Sequence, residues 1–142
     1  MEPHVPDILR VIQLVVAPVF LLTAVGTLIN ALNARLGRAI DRRRVLEQLL
    51  RSLEDEPARS ARAELAQVGT RIHVVYLAIF AAVISALFVC LLIAVAFLGG
   101  FVATDPSRSI AILFVLSMVA LIAALLLFLR EIYLAISTPR HV

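Results

Sequence analysis

Three uninterrupted apolar runs decide what this chain can become. They extend from about Val11 to Leu32, from about Ile72 to Leu98 and from about Ile110 to Leu129. None has a charged residue in its interior, and all are rich in Leu, Ile, Val and Ala. At roughly 1.5 Å of rise per residue, each is long enough to cross about 30 Å of hydrocarbon. Lipid offers no water to satisfy backbone N–H and C=O groups, so runs of this kind cross as α-helices. The hydrophobic share of 62% and the mean hydropathy of +1.02 fit that reading. Ordinary soluble domains hold about 45–50% apolar residues. With 142 residues there is no room for a second domain, so a single membrane domain over 1–142 is expected.

The first run reads as an uncleaved span, not as a leader that would be removed. Glu2 and Asp7 offset Arg10, the run exceeds an ordinary signal-peptide core, and the positive charge follows it instead of preceding it. The single Cys90 lies in an apolar run without a partner, so no disulfide framework is expected.

All 13 basic residues are arginine, and the net charge is +3. Nucleic acid is not the expected partner, because the arginines sit between membrane spans, where they set topology. The loop between the first two spans carries Arg35, Arg38, Arg42, Arg43, Arg44, Arg51, Arg59, Arg62 and Arg71, whereas "GGFVATDPSRS" carries only Arg108. Arginine counting therefore puts the first loop and the C-terminus in the cytoplasm and the N-terminus outside. Tyr76 and Tyr133 would then sit at the inner interface, where amphipathic rings are favoured.

The stretch "NALNARLGRAIDRRR", residues 30–44, leaves the first span without a proline or a change of period. Beyond it Leu46, Leu49, Leu50 and Leu53 recur at helical spacing, and Arg43 with Glu47 makes an i,i+4 pair. "EDEP" at 54–57 reads as a turn, with Pro57 suited to the first helical position and Asp55 or Glu56 as its cap. Ala58, Ala61, Leu65, Val68 and Ile72 then share a face. The expected architecture is an all-α integral membrane protein. Its first two transmembrane helices extend into a cytoplasmic antiparallel helical hairpin over about 35–71, whose leucine stripe is buried on the other helix or on neighbouring copies.

Polar residues within the first span gather on one side. Thr23, Gly26, Thr27, Asn30, Asn33 and Gly37 fall within an arc of roughly 120° at 100° per residue, with Gln13 near its edge and Pro18 between them. Two readings stay open. The stripe packs against other helices, for which the second span offers Ala78, Ala82 and Ser85 and the third Ser117, Ala120 and Ala124. Alternatively it lines a pore at the axis of a homo-oligomer, where Thr and Asn rings offer both donors and acceptors. Arg35, Arg38, Arg42, Arg43 and Arg44 likewise have two readings. They hold the loop in the cytoplasm against anionic headgroups, or they form a positive collar at a pore mouth. Arg130 and Glu131 close the third span as an interfacial charge pair. Arg130 can snorkel, and Glu131 is expected to pair with Arg71 or Arg35.

No enzyme chemistry emerges. Ser85 lies twelve residues from His73, or about 18 Å along a helix, too far for a nucleophile and its base. His4, His73 and His141 are scattered, no metal motif or glycine-rich phosphate loop occurs, and no cofactor is expected. The spans hold no interior carboxylate for a proton relay. Three spans without an internal repeat also fit a monomeric transporter poorly.

The blocks "IQLVVAPVFLLTAVGTLINALNARLGRAIDRRRVLE", "ISALFVCLLIAVAFL" and "FLREIYLA" resemble bacterial membrane proteins grouped as domain of unknown function 2721. The resemblance covers nearly the whole chain and is most specific in the first block. It implies a three-helix protein of the bacterial inner membrane and brings no activity and no assigned functional residues. The expected function is a homo-oligomer enclosing an ion-conducting pore lined by the first span, narrowed by Thr23, Thr27, Asn30 and Asn33. The alternative is a non-conducting scaffold whose arginine-rich hairpin binds anionic lipid or an acidic partner.

Overall fold

The first apolar run does not stop where its lipid-crossing length is used up. The computed structural model describes residues 5–52, 56–99, 101 and 105–137. In it the run continues as one helix of 48 residues, α1 (Val5–Ser52). A second helix, α2, spans Glu56–Gly99, and a third, α3, spans Ser107–Ser137. No strand occurs among the described residues. All three helices contain stretches long and apolar enough to cross a membrane, so the chain is all-helical and built as a multi-pass membrane protein.

Local chemistry sets the ends. Arg51 lies in the last turn of α1, where a cation complements the helix dipole. Pro57 is the second residue of α2, where a missing N–H costs nothing. The expected cap at Asp55 and the stripe residue Leu53 lie outside the described residues. Between α2 and α3, Phe101 N–H donates to the Leu98 carbonyl at 3.0 Å. The Asp105 carboxylate accepts from the Ser107 hydroxyl and, at 3.1 Å, from the Ser107 N–H. Pro106 stands immediately before the helix, its carbonyl accepting the Ile110 N–H at 2.9 Å. The Ser107 hydroxyl first, and its backbone N–H second, favour the charged carboxylate and hold the Asp105 pKa below its ordinary value. The third helix thus begins at Ser107, just ahead of the apolar run read from the sequence.

Gly99 allows this turn to close. A Cβ at this position would overlap the Pro106 ring. Because a proline ring cannot swing aside as a flexible side chain can, Gly99→Ala is expected to destabilise the protein by about 1–3 kcal/mol. Denaturant titration in detergent micelles checks this.

The chain divides into two compact units, each drawing on all three helices. The first comprises Met1–Ile29 and Ala81–Ala123. Here the Ser85 hydroxyl donates to the Ser117 carbonyl at 2.8 Å, joining α2 to α3 in a fully buried contact. The Ser117 hydroxyl turns back to the Phe114 carbonyl at 2.8 Å. With no water to compete, such an interhelical bond contributes about 0.6–1.7 kcal/mol. Ser85→Ala should cost about that much in the same titration.

The second unit comprises Asn30–Phe80 and Ala124–Val142. Its core is Ala39 and Leu46 of α1 against Ala61, Val68 and Ile72 of α2, with Leu36, Ile40, Leu50 and Leu65 packed around it. Leu49, expected on the same stripe, is exposed. Arg42 pairs with Glu64, and Arg35 meets Arg71 at a shared carboxylate. Seven residues forward on α1 thus correspond to seven back on α2, so the two segments run in opposite directions here.

Buried positions recur every seven residues along each helix. They are Pro18, Val25, Leu32, Ala39 and Leu46 on α1, and Ala61, Val68, Val75, Ala82, Val89 and Ala96 on α2. A second row on α2 holds Ala78, Ser85 and Leu92, and α3 contributes Ser117, Ala124 and Glu131. Seven residues turn a helix through almost two full revolutions, so each row stays near one face. Alanine and serine supply much of the buried set, while Phe20, Phe80 and Leu126 point outward at 71%, 66% and 61% exposure. Helices meeting in lipid gain from close approach of small residues, and lipid accepts the large apolar ones.

Candidate functional site

The α3 row ends on a carboxylate. Glu131 is 1% exposed. Arg35 Nη1 donates to its Oε2 at 2.7 Å, and Arg71 Nη2 donates to its Oε1 at 3.0 Å. One acid on α3 thus ties α1 and α2 together. The ring of Phe128, three residues earlier on the same helix face, lies 5.1 Å from the Arg35 guanidinium carbon. Both arginine side chains remain partly open, with exposures of 29% for Arg35 and 23% for Arg71. Arg71 Nε is buried and has no hydrogen-bond acceptor. The node therefore sums to one net positive charge and holds more donors than acceptors.

Arg130 takes no part in this node. Adjacent helical residues point about 100° apart, so Arg130 turns outward and is exposed while Glu131 turns into the protein. The charge pair read at the end of the third span is corrected accordingly. The partners of Glu131 come from the other two helices, and of the two arginines named as alternatives both are engaged.

The five arginines after the first span separate by role. Arg35 goes to Glu131. Arg42 forms a two-pronged pair with Glu64, Nε to Oε1 at 2.8 Å and Nη2 to Oε2 at 3.1 Å. Arg43 lies 3.9 Å from Glu47, an exposed i,i+4 pair of little energetic consequence. Arg38 and Arg44 are exposed and make no ion pair among the described residues. Sequence reasoning missed Glu64 and Phe128. Only the register between α1 and α2 points to the first, and only spacing along α3 points to the second.

The polar stripe of α1 lies away from the buried row. Gln13, Thr23, Thr27, Asn30 and Asn33 are all exposed. At 100° per residue the arc from Thr23 to Gly37 centres about 140° from Val25 and about 160° from Leu32. The stripe is therefore not packed on the small residues Ala78, Ala82, Ser85, Ser117 and Ala124, all five of which are buried in other contacts. Thr23 and Thr27 hydroxyls donate to the carbonyls of Val19 and Thr23, at 3.2 and 3.1 Å. The side chains of Asn30 and Asn33 make no hydrogen bond among the described residues. Added Cβ atoms at Gly26 and Gly37 would meet nothing within 4 Å.

His73, Tyr76 and Tyr133 are exposed. No three His, Cys, Asp or Glu side chains among the described residues are grouped to hold a metal ion. An open groove of about 300 Å³ in the first unit is lined by Ile12, Val15, Val16, Val19, Phe20 and Phe97 with Ile93, all apolar.

No curated protein and no solved structure matches this chain. A family model does, over residues 15–141, which takes in α1 from its buried row onward, all of α2 and all of α3 with its Glu131. By that match the chain belongs to the family described as "Protein of unknown function (DUF2721)".

Proposed function

We propose that the protein assembles with copies of itself in the bacterial inner membrane and encloses an ion-conducting pore lined by α1. The observation that supports this is the outward stripe. Within a membrane span, an exposed Asn30 side chain without a partner faces hydrocarbon unless something polar covers it, and leaving it unpaired costs about 1–3 kcal/mol. A carboxamide both donates and accepts, so copies of the same residue around an axis satisfy one another or hold water between them. Gly26 and Gly37, beside which the chain leaves open space, admit the backbone of a neighbouring helix. In this reading the arginine-rich segment over 35–71 is a cytoplasmic hairpin. Arg38, on the flank of the stripe, decorates the inner mouth, while Arg35 and Arg42 are already engaged.

Native mass spectrometry of the protein in nanodiscs tests the assembly, and a planar bilayer tests conduction. A ring of four or more copies that carries current is the expected result. A monomer sinks the pore, because the stripe of a lone subunit faces outward and encloses no water column.

A second reading rests on the exposed Arg44, Arg51, Arg59 and Arg62, which make no ion pair among the described residues. They suit a scaffold that spreads a basic surface on anionic headgroups, at roughly 1 kcal/mol per arginine. A defined ring that never conducts would favour it.

A further inference from the structure

We infer that the Arg35–Glu131–Arg71 node is a binding site for the phosphate group of a membrane phospholipid, preferentially an anionic one. The inference does not depend on whether the protein conducts. Two guanidiniums bring about ten N–H donors. Glu131 offers two oxygens, and each accepts one of those donors. The charge is likewise uneven, two cations on one anion, and the buried Arg71 Nε–H without an acceptor marks the shortage.

Both arginine side chains keep part of their surface open, at 29% and 23% exposure, which leaves room for an anion to approach without breaking the node. The depth selects the source of the anion. The apolar run of α3 ends at Leu129, exposed immediately before the charged pair, and Tyr133 is exposed two residues later. This is the sequence of a membrane boundary, the level at which phospholipid phosphates lie. A planar guanidinium matches a phosphate's oxygens two at a time, which an ammonium does not.

The test is lipid retention by native mass spectrometry, with melting temperature as a second readout, in phosphatidylglycerol, in phosphatidylcholine, and in detergent with inorganic phosphate. Wild-type protein is expected to retain phosphatidylglycerol over phosphatidylcholine and to melt higher in it. Arg71→Gln should weaken retention about fivefold, the equivalent of one interfacial cation. Glu131→Gln carries the decisive sign. It removes the competing anion and doubles the net charge of the node, so retention should tighten about fivefold. A purely structural node predicts no gain. If folded Glu131→Gln binds no tighter than wild type, or Arg71→Gln binds equally well, the site is overturned. Should Glu131→Gln not fold, the wild-type melting temperature decides, and equal melting in the two lipids overturns the proposal. Protection by inorganic phosphate without any lipid preference would assign the anion to a soluble source and overturn the lipid one.

Discussion

Glu131→Ala is expected to lower the free energy of unfolding by about 3 kcal/mol, the largest effect of any single substitution considered for this protein. The loss arises less from the two bonds themselves than from what remains. Arg35 and Arg71 would be left facing each other, each three-quarters covered, with no anion between them. Removing one partner of a buried ion pair strands its charge, whereas replacing the whole set by apolar residues is often neutral or stabilising. Arg35→Leu, Glu131→Leu and Arg71→Leu combined should therefore recover most of what Glu131→Ala loses. Denaturant titration of both variants in the same micelle checks the pair. If the triple variant is as unstable as Glu131→Ala, the node supplies net attraction and not only specificity. If Glu131→Ala is neutral, the arginines escape to water on their exposed sides and the helices do not rely on the node.

The same residue shows how unevenly the structure could be read in advance. A carboxylate at the end of an apolar run needs a cation, so an arginine partner for Glu131 was legible. Arg35 and Arg71 were both named for it; that the two would bind it at once was not legible, nor that Arg130 beside it is turned away by the helical period. The spans were legible from length alone. The buried rows within them were not. In water, apolar residues point inward, and their period reveals the core. In lipid both faces are apolar. Val25 and Leu32 are fully buried while Val19 and Leu14 are about half exposed, with nothing in residue type to separate them. Only small residues betrayed contact, as at Ala78, Ala82 and Ser85, and even there the partner was not readable. The bond from Ser85 to the Ser117 backbone depends on the register of α2 against α3. The stripe of α1 was legible as a stripe. That it faces away from the chain's own helices depends on which side α1 buries, and the Val25–Leu32–Ala39–Leu46 row settles that side.

Substitutions along the stripe should leave the subunit intact and disturb its assembly. Thr27 and Asn30 are exposed, so Thr27→Leu and Asn30→Leu should not destabilise the subunit, and Asn30→Leu should stabilise it by up to about 1–3 kcal/mol by removing an unpaired polar group from hydrocarbon. Between copies the expectation differs. Each interhelical Asn bond lost costs about 0.6–1.7 kcal/mol, or about 3- to 20-fold in the dissociation constant per contact. A ring compounds that factor over every subunit boundary. Gly26→Ala sharpens the contrast. Nothing in the chain lies within 4 Å of the added methyl, and the helix itself gains about 1 kcal/mol over glycine. An isolated subunit should therefore be more stable, while a ring whose neighbour seats at Gly26 should be weaker. Native mass spectrometry reads the assembly, denaturant titration the subunit, and single-channel recording the path. A stabilised subunit with an unchanged ring would remove α1 from the interface. If the ring stays whole but Asn30→Leu lowers conductance, the stripe lines water instead of joining subunits, because only a residue facing the ion path alters flux without altering assembly.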